Sequence, residues 1–207
     1  MRTPAERRNA EFEFRLGFFA DGSPSLLVAS IGTTPATRGR SRRAFLSTSS
    51  VDAIDRIGSG PWYDRNGLKV WNALSEMTAD RPPTSYTYRD DLPNEDGIPN
   101  HDYDLDGSTA DDDNHDFPTG SDTSGRKVSG DTAASRCNDW TSTTASGRPW
   151  CGHSWPRQGS GTHWIHSIQE GGCGAGINLS EQSVPMGCTT IGCGGGYGGI
   201  YCFATTP

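Results

Sequence analysis

Residues 120–140 read GSDTSGRKVSGDTAASRCNDW, a polar, glycine-punctuated segment that ends just after the first cysteine of the chain. All six cysteines lie between Cys137 and Cys202, where glycine is densest. Domains with a small hydrophobic core in oxidising compartments are commonly stabilised by disulfides. Zinc sites favour closely paired thiolates, whereas the nearest pair here is Cys188 and Cys193. We therefore predict disulfides and a secreted or cell-surface location.

The composition predicts one modest core in a loop-rich fold. Only 32% of the 207 residues are hydrophobic, and glycine (27) and proline (13) are frequent. The sequence has no apolar run of about 18 residues, so we predict no transmembrane helix. The apolar stretch at 16–20 is too short for a signal peptide, and we expect either a truncated or aberrant start or export that the sequence does not reveal.

The chain divides into three parts. We expect residues 1–42 to be a poorly defined N-terminal segment, disordered or aberrant apart from one strand within 25–31 and polar loop over 33–43. Residues 43–207 form the predicted domain. Within it, residues 80–116 are polar, proline-punctuated and acidic, which predicts an insert held by its ends or by ions.

Local patterns predict short elements inside this domain. A serine and threonine cluster at 47–50 precedes apolar residues Val51, Ile54 and Ile57, which favours a short capped helix. Apolar runs at 62–63 and 68–71 flank an Asn-Gly pair, a strong hairpin signal. Residues 199–203 form an apolar final strand. Helices and strands together indicate an α+β domain.

Several segments, in this order and spacing, resemble endostatin, the C-terminal domain of certain non-fibrillar collagens. The segments are residues 43–47 (RAFLS), 120–126 (GSDTSGR), 137–140 (CNDW), 172–173 and 201–203. Related bacterial domains of the C-type-lectin-like kind are similar at 57–63, 152–156 and 194–204. The resemblance covers about 43–77 and 117–204. It implies a loop-rich C-type-lectin-like fold with short helices, a small antiparallel sheet and disulfides.

The resemblance also implies a disulfide pattern. It pairs Cys137 with Cys173, and it pairs Cys202 with an upstream cysteine that this chain lacks. We therefore expect either that Cys202 pairs with Cys151, Cys188 or Cys193, or that the N-terminal segment is aberrant. Cys188 remains open to pairing with Cys193 or with Cys151.

The sharpest local motif is a run of alternating aspartates at residues 102–107, DYDLDG. Calcium takes about six to eight oxygen ligands, and alternating aspartates with a glycine at the bend can wrap one ion. The preceding segment, residues 94–100, resembles the aspartate repeats of thrombospondin type 3. A solvated acidic loop without a fixed ion is the alternative. We predict calcium bound by Asp102, Asp104, Asp106, Ser108 and Asp113, with Asp96 and Asn100 on a second ion.

Aromatic side chains and histidines could instead carry chemistry. Tryptophans can stack on sugar rings, but in a chain poor in aliphatics most must fill the core, with one or two exposed. His163 and His166 are three residues apart beside a strand or turn, a spacing that separates their side chains. We expect structural roles for the histidines.

Charge and motifs together favour a binding module over an enzyme. The insert carries twelve acidic residues and two arginines, a net charge of −10 that repels nucleic acid, heparin and anionic lipid. We predict a non-catalytic extracytoplasmic module that recognises a glycan or protein partner through loops, with calcium ordering the insert. A hydrolase or redox enzyme and a purely structural surface domain are the alternatives.

Overall fold

A computed structural model of the chain describes residues 42–94, 97–99, 115–156, 162–174, 189–191 and 199–205, and the backbone of 17–18, 24–25 and 30–31. These residues form a mixed α+β architecture of short helices and small sheets, as predicted at this coarse level. No helix within these ranges is long and apolar enough to span a membrane.

Within the described residues, ten short strands form four small sheets. The strands are β1 (Gly17–Phe18), β2 (Pro24–Ser25), β3 (Ser30–Ile31), β4 (Arg42–Ala44), β5 (Trp62–Tyr63), β6 (Lys69–Trp71), β7 (Asp116–Pro118), β8 (Trp150–His153), β9 (Ile168–Gln169) and β10 (Cys202–Ala204). The sheets have the orders β1-β2, β3-β10-β4, β5-β6 and β7-β8-β9. All pairings are antiparallel except that of β10 with β3.

The helical segments are each one turn long. Two are 3-10 turns, Ala53–Arg56 and Ala133–Arg136, and α1 spans Leu74–Met77. A further helical turn spans Cys137–Trp140, where all four residues have positive φ, between 49° and 66°. Left-handed backbone is unfavourable for residues with a Cβ, so packing around this turn must hold it.

An aromatic cluster forms the main core and compensates for the scarcity of aliphatic residues. The rings of Trp71 and Trp164 lie 4.8 Å apart, and Phe45 packs 5.1 Å from Trp164. Tyr201 contacts Trp164 edge-on at 5.3 Å. The Phe45 amide donates to the Tyr201 carbonyl, so the start and the end of the predicted domain meet in this core.

The local predictions had mixed outcomes. The hairpin is confirmed, since β5 and β6 pair around the Asn-Gly turn. The predicted helix was too long, because the helical residues are 53–56 only and Val51 is 40% exposed. Of the strand predicted within 25–31, Ser25 lies in β2 and Ser30–Ile31 forms β3, while residues 26–29 lie outside the described residues. Arg42 and Arg43, predicted as loop, form β4 because they pair with β10.

Candidate functional site

The seven predicted calcium ligands lie outside the described residues. They are Asp96, Asn100, Asp102, Asp104, Asp106, Ser108 and Asp113. Cys188 and Cys193 also lie outside them. The calcium prediction and the pairings among these cysteines therefore stay predictions.

The disulfide implied by the resemblance is present. Cys137 and Cys173 are bonded, with their Cα atoms 5.5 Å apart. Cys151, in contrast, is a buried free thiol on β8, so it does not form the bond to Cys188 or to Cys202 that the sequence left open. Its sulfur lies 3.8 Å from the Pro149 carbonyl, inside the sheet rather than at a crossing of loops.

Three side chains with metal-ligand chemistry meet at one end of the β7-β8 pair. Asp116, the first residue of β7, lies directly opposite His153, the last residue of β8, and His115 immediately precedes Asp116. Asp116 Oδ1 lies 3.0 Å from His153 Nε2 and 3.6 Å from His115 Nε2. One potential ligand atom from each residue lies within 4.8 Å of the others. We call these three residues the His–Asp–His cluster.

Burial makes this cluster chemically unusual. The Asp116 side chain is fully buried, and His153 is 8% exposed. Neither Asp116 oxygen has a hydrogen-bond partner among the described residues, and neither does His153 Nε2, although Asp116 Oδ1 and His153 Nε2 lie 3.0 Å apart. Buried polar atoms of native proteins nearly always have partners, so such a group calls for an explanation.

A second buried carboxyl group lies beside Asp116. Glu170 follows β9, is fully buried, and has no hydrogen-bond partner on either oxygen within the described residues. Burial, followed by the negative charge of Asp116, raises the pKa of Glu170 to about 9. Burial and these two carboxylates also hold the pKa of the Cys151 thiol well above its usual range. A thiol held protonated is a poor nucleophile.

Sequence reasoning missed the His–Asp–His cluster because strand pairing assembles it. His115 and Asp116 lie at the end of the acidic insert and His153 lies far along the chain. The signal available in the sequence is that Asp116 directly precedes the apolar residues Phe117 and Pro118. All three residues of β7 are buried in the structure, so the aspartate is buried with its apolar neighbours.

A second feature is the β5-β6 hairpin, whose tip is fixed by a buried carboxylate. Asp64 Oδ1 accepts hydrogen bonds from the backbone amides of Asn66 (2.9 Å) and Leu68 (2.8 Å). Asp64 Oδ2 accepts from the Tyr86 hydroxyl at 2.7 Å. The Asn66 amide group donates to the Gly97 carbonyl and ties the tip to the acidic insert.

This fixed hairpin carries exposed apolar side chains. The described residues contain three exposed large hydrophobics, Val51, Tyr63 and Leu68, and the last two lie on the hairpin. Tyr63 is 42% exposed and Leu68 is 39% exposed. The fold therefore presents an aromatic ring and an aliphatic side chain from a rigid support.

The four tryptophans from Trp140 to Trp164 and His166 have structural surroundings, while His101 lies outside the described residues. Trp164 is fully buried, while Trp140, Trp150 and Trp155 are partly buried. His166 stacks on Trp150 with ring centroids 4.1 Å apart, and the ring Nδ1 lies 2.6 Å from the Ser121 carbonyl.

Comparison with known proteins found no match. No family model, curated protein or solved structure matches the chain. The function is therefore inferred from the residues themselves.

Proposed function

We propose that this chain is a non-catalytic extracytoplasmic binding module that recognises a glycan or protein partner, with the β5-β6 hairpin as its contact surface. The supporting observation is the exposure of Tyr63 and Leu68 on that hairpin. Aromatic residues are enriched at recognition surfaces because a rigid ring offers a large contact area at low entropic cost. The flat face of a tyrosine ring also suits a sugar ring.

Rigidity of the hairpin favours recognition. Ordering a flexible loop on binding costs free energy, and a loop already fixed avoids this cost. The Asp64 carboxylate fixes the turn by accepting hydrogen bonds from the backbone amides of Asn66 and Leu68. The Asn66 side chain in turn donates a hydrogen bond to the Gly97 carbonyl. The hairpin therefore meets a partner in one conformation.

The cellular location and the role of calcium are parts of the same proposal. The Cys137–Cys173 disulfide favours an oxidising compartment, since such bonds are rare in the cytosol. The density of aspartate over residues 102–113 favours calcium as the ion that orders the insert. An insert ordered next to Gly97 would support the hairpin tip.

The test is binding of the full chain to arrays of glycans and of purified extracellular proteins, with calcium and with chelator. For any partner found, we expect Tyr63→Ala to weaken binding by at least about tenfold, since contact residues that dominate an interface contribute over about 2 kcal/mol. Tyr63→Phe should keep most of the affinity because the ring remains.

Val51→Ala is the matched control, since Val51 is equally exposed but lies outside the hairpin. The Val51→Ala variant should bind the partner with the same affinity as the unchanged chain. Absence of any partner on both arrays would support the purely structural alternative. Equal losses for Tyr63→Ala and Val51→Ala would contradict the hairpin as the contact surface.

A further inference from the structure

We propose that the His–Asp–His cluster of His115, Asp116 and His153 binds a first-row divalent transition metal ion of the Zn²⁺ type. This site is distinct from the calcium positions predicted at residues 96–113. It goes beyond the proposed recognition function and does not depend on it.

The spacing of the donor atoms fits such an ion. Ligand atoms about 2.1 Å from a tetrahedral zinc ion lie about 3.4 Å from one another. Asp116 Oδ1 lies 3.0 Å from one imidazole nitrogen and 3.6 Å from the other. The imidazole rings of His115 and His153 are perpendicular, with centroids 4.4 Å apart. Small side-chain rotations would therefore place three donors around one ion.

Burial of Asp116 provides the second, independent argument. An ionised carboxylate without a partner is very costly to bury, and no lysine or arginine of the described residues forms an ion pair with Asp116. Glu170 lies beside Asp116 as a second buried carboxyl group and supplies no positive charge. A divalent cation supplies the missing positive charge and takes up the orphaned oxygen and nitrogen atoms together.

The donor set selects the class of metal. Two imidazoles with one carboxylate suit zinc and its first-row neighbours, whereas calcium requires about six to eight oxygen ligands. Three protein ligands leave a fourth position for water or an external group. Calcium should therefore not compete for this cluster.

The position of the cluster indicates what the ion would do for the fold. His115 and Asp116 are the last two residues of the acidic insert, and His153 belongs to the central strand β8. The Ser154 amide donates to the His115 carbonyl, and the Leu92 amide donates to the Ser154 carbonyl. An ion at this point would fasten the end of the insert to the sheet.

The experiment is a titration of the full chain with Zn²⁺ after chelator treatment, in competition with a chromophoric chelator. We expect one tight equivalent that millimolar Ca²⁺ does not displace. His115→Ala and His153→Ala should each weaken this equivalent by at least about 100-fold, because even outer-shell changes cost about 10- to 100-fold. His166→Ala is the matched control, since His166 lies outside the cluster and should leave the affinity unchanged.

A second set of variants keeps the test decisive if an alanine variant does not fold. Asp116→Asn has the same shape but removes the buried charge, so it should fold well without metal and lose the tight equivalent. Asp104→Asn combined with Asp106→Asn should retain it, because those residues belong to the predicted calcium loop. The proposal is overturned if Zn²⁺ does not bind, if Ca²⁺ displaces it, or if Asp116→Asn binds as tightly as the unchanged chain.

Discussion

The carboxylates of Asp64 and Asp116 are both buried, yet their surroundings are opposite. Asp64 accepts three hydrogen bonds from its own hairpin and from Tyr86. Such bonds offset the cost of removing a charge from water. Asp116 accepts none within the described residues. This contrast identifies Asp64 as structural and supports the proposal that Asp116 is a metal ligand.

The bond between Tyr86 and Asp64 predicts a distinctive pH dependence. Burial, followed by the hydrogen bond to Asp64, raises the pKa of Tyr86 well above its usual value. The unfolded chain releases this proton near pH 10, so the stabilisation is complete below pH 10 and falls by about 1.4 kcal/mol per pH unit above it. Tyr86→Phe removes this dependence.

We expect Tyr86→Phe to lower the free energy of unfolding by about 1 to 3 kcal/mol at pH 8, where the charged hydrogen bond is lost. The deficit should shrink above pH 10, because only the unchanged chain then loses stability by tyrosine ionisation. Urea unfolding followed by tryptophan fluorescence at pH 8 and pH 11 measures both values. An equal deficit at the two pH values would contradict the Tyr86–Asp64 account.

At the scale of the elements, β8 depends on a close backbone approach. A Cβ on Gly152 would lie 1.8 Å from the Trp164 carbonyl oxygen, which is backbone and cannot rotate away. The same strand pairs Asp116 with His153, so the approach of residues 164–165 helps to fix the His–Asp–His cluster.

Gly152→Ala should therefore destabilise the protein by about 4 kcal/mol or more, a size reserved for a few severe mechanisms. The control is Gly130→Ala. Gly130 has φ of 75° with no atom near its Cβ position, so that change should cost only about 1 kcal/mol through backbone strain. Denaturant unfolding of the two variants compares them. Similar losses would show that β8 and the 164–165 segment are not tightly packed.

The β5-β6 hairpin was predictable from the sequence because neighbouring residues determine its turn and its strands. The Asn-Gly pair fixes the β5-β6 turn, and the pattern on either side fixes its strands. The helix after Ser47 was predicted too long because the Ser47 hydroxyl packs against Ser121 and accepts from the amide of Ala53, so that the helix begins at Ala53 and leaves out Val51. That long-range packing overrides the local cap signal.

At the scale of the whole molecule, the resemblance placed Cys137 and Cys173 correctly, while the His–Asp–His cluster escaped prediction. The cluster depends on the register of β7 against β8, which no local pattern specifies. The aromatic core follows from composition, since a chain with 32% hydrophobic residues must use its large rings. Sequence therefore indicated the mixed α+β class, and strand pairing assembled the candidate metal centre.

The most direct test of the metal centre is anomalous X-ray diffraction from crystals of the full chain grown with Zn²⁺, recorded on both sides of the zinc absorption edge. We predict one anomalous peak about 2.0 to 2.2 Å from Asp116 and from the imidazole nitrogens of His115 and His153. Data collected below the edge should lack the peak. Ordered side chains at these three residues without a peak between them, at saturating zinc, would contradict the account.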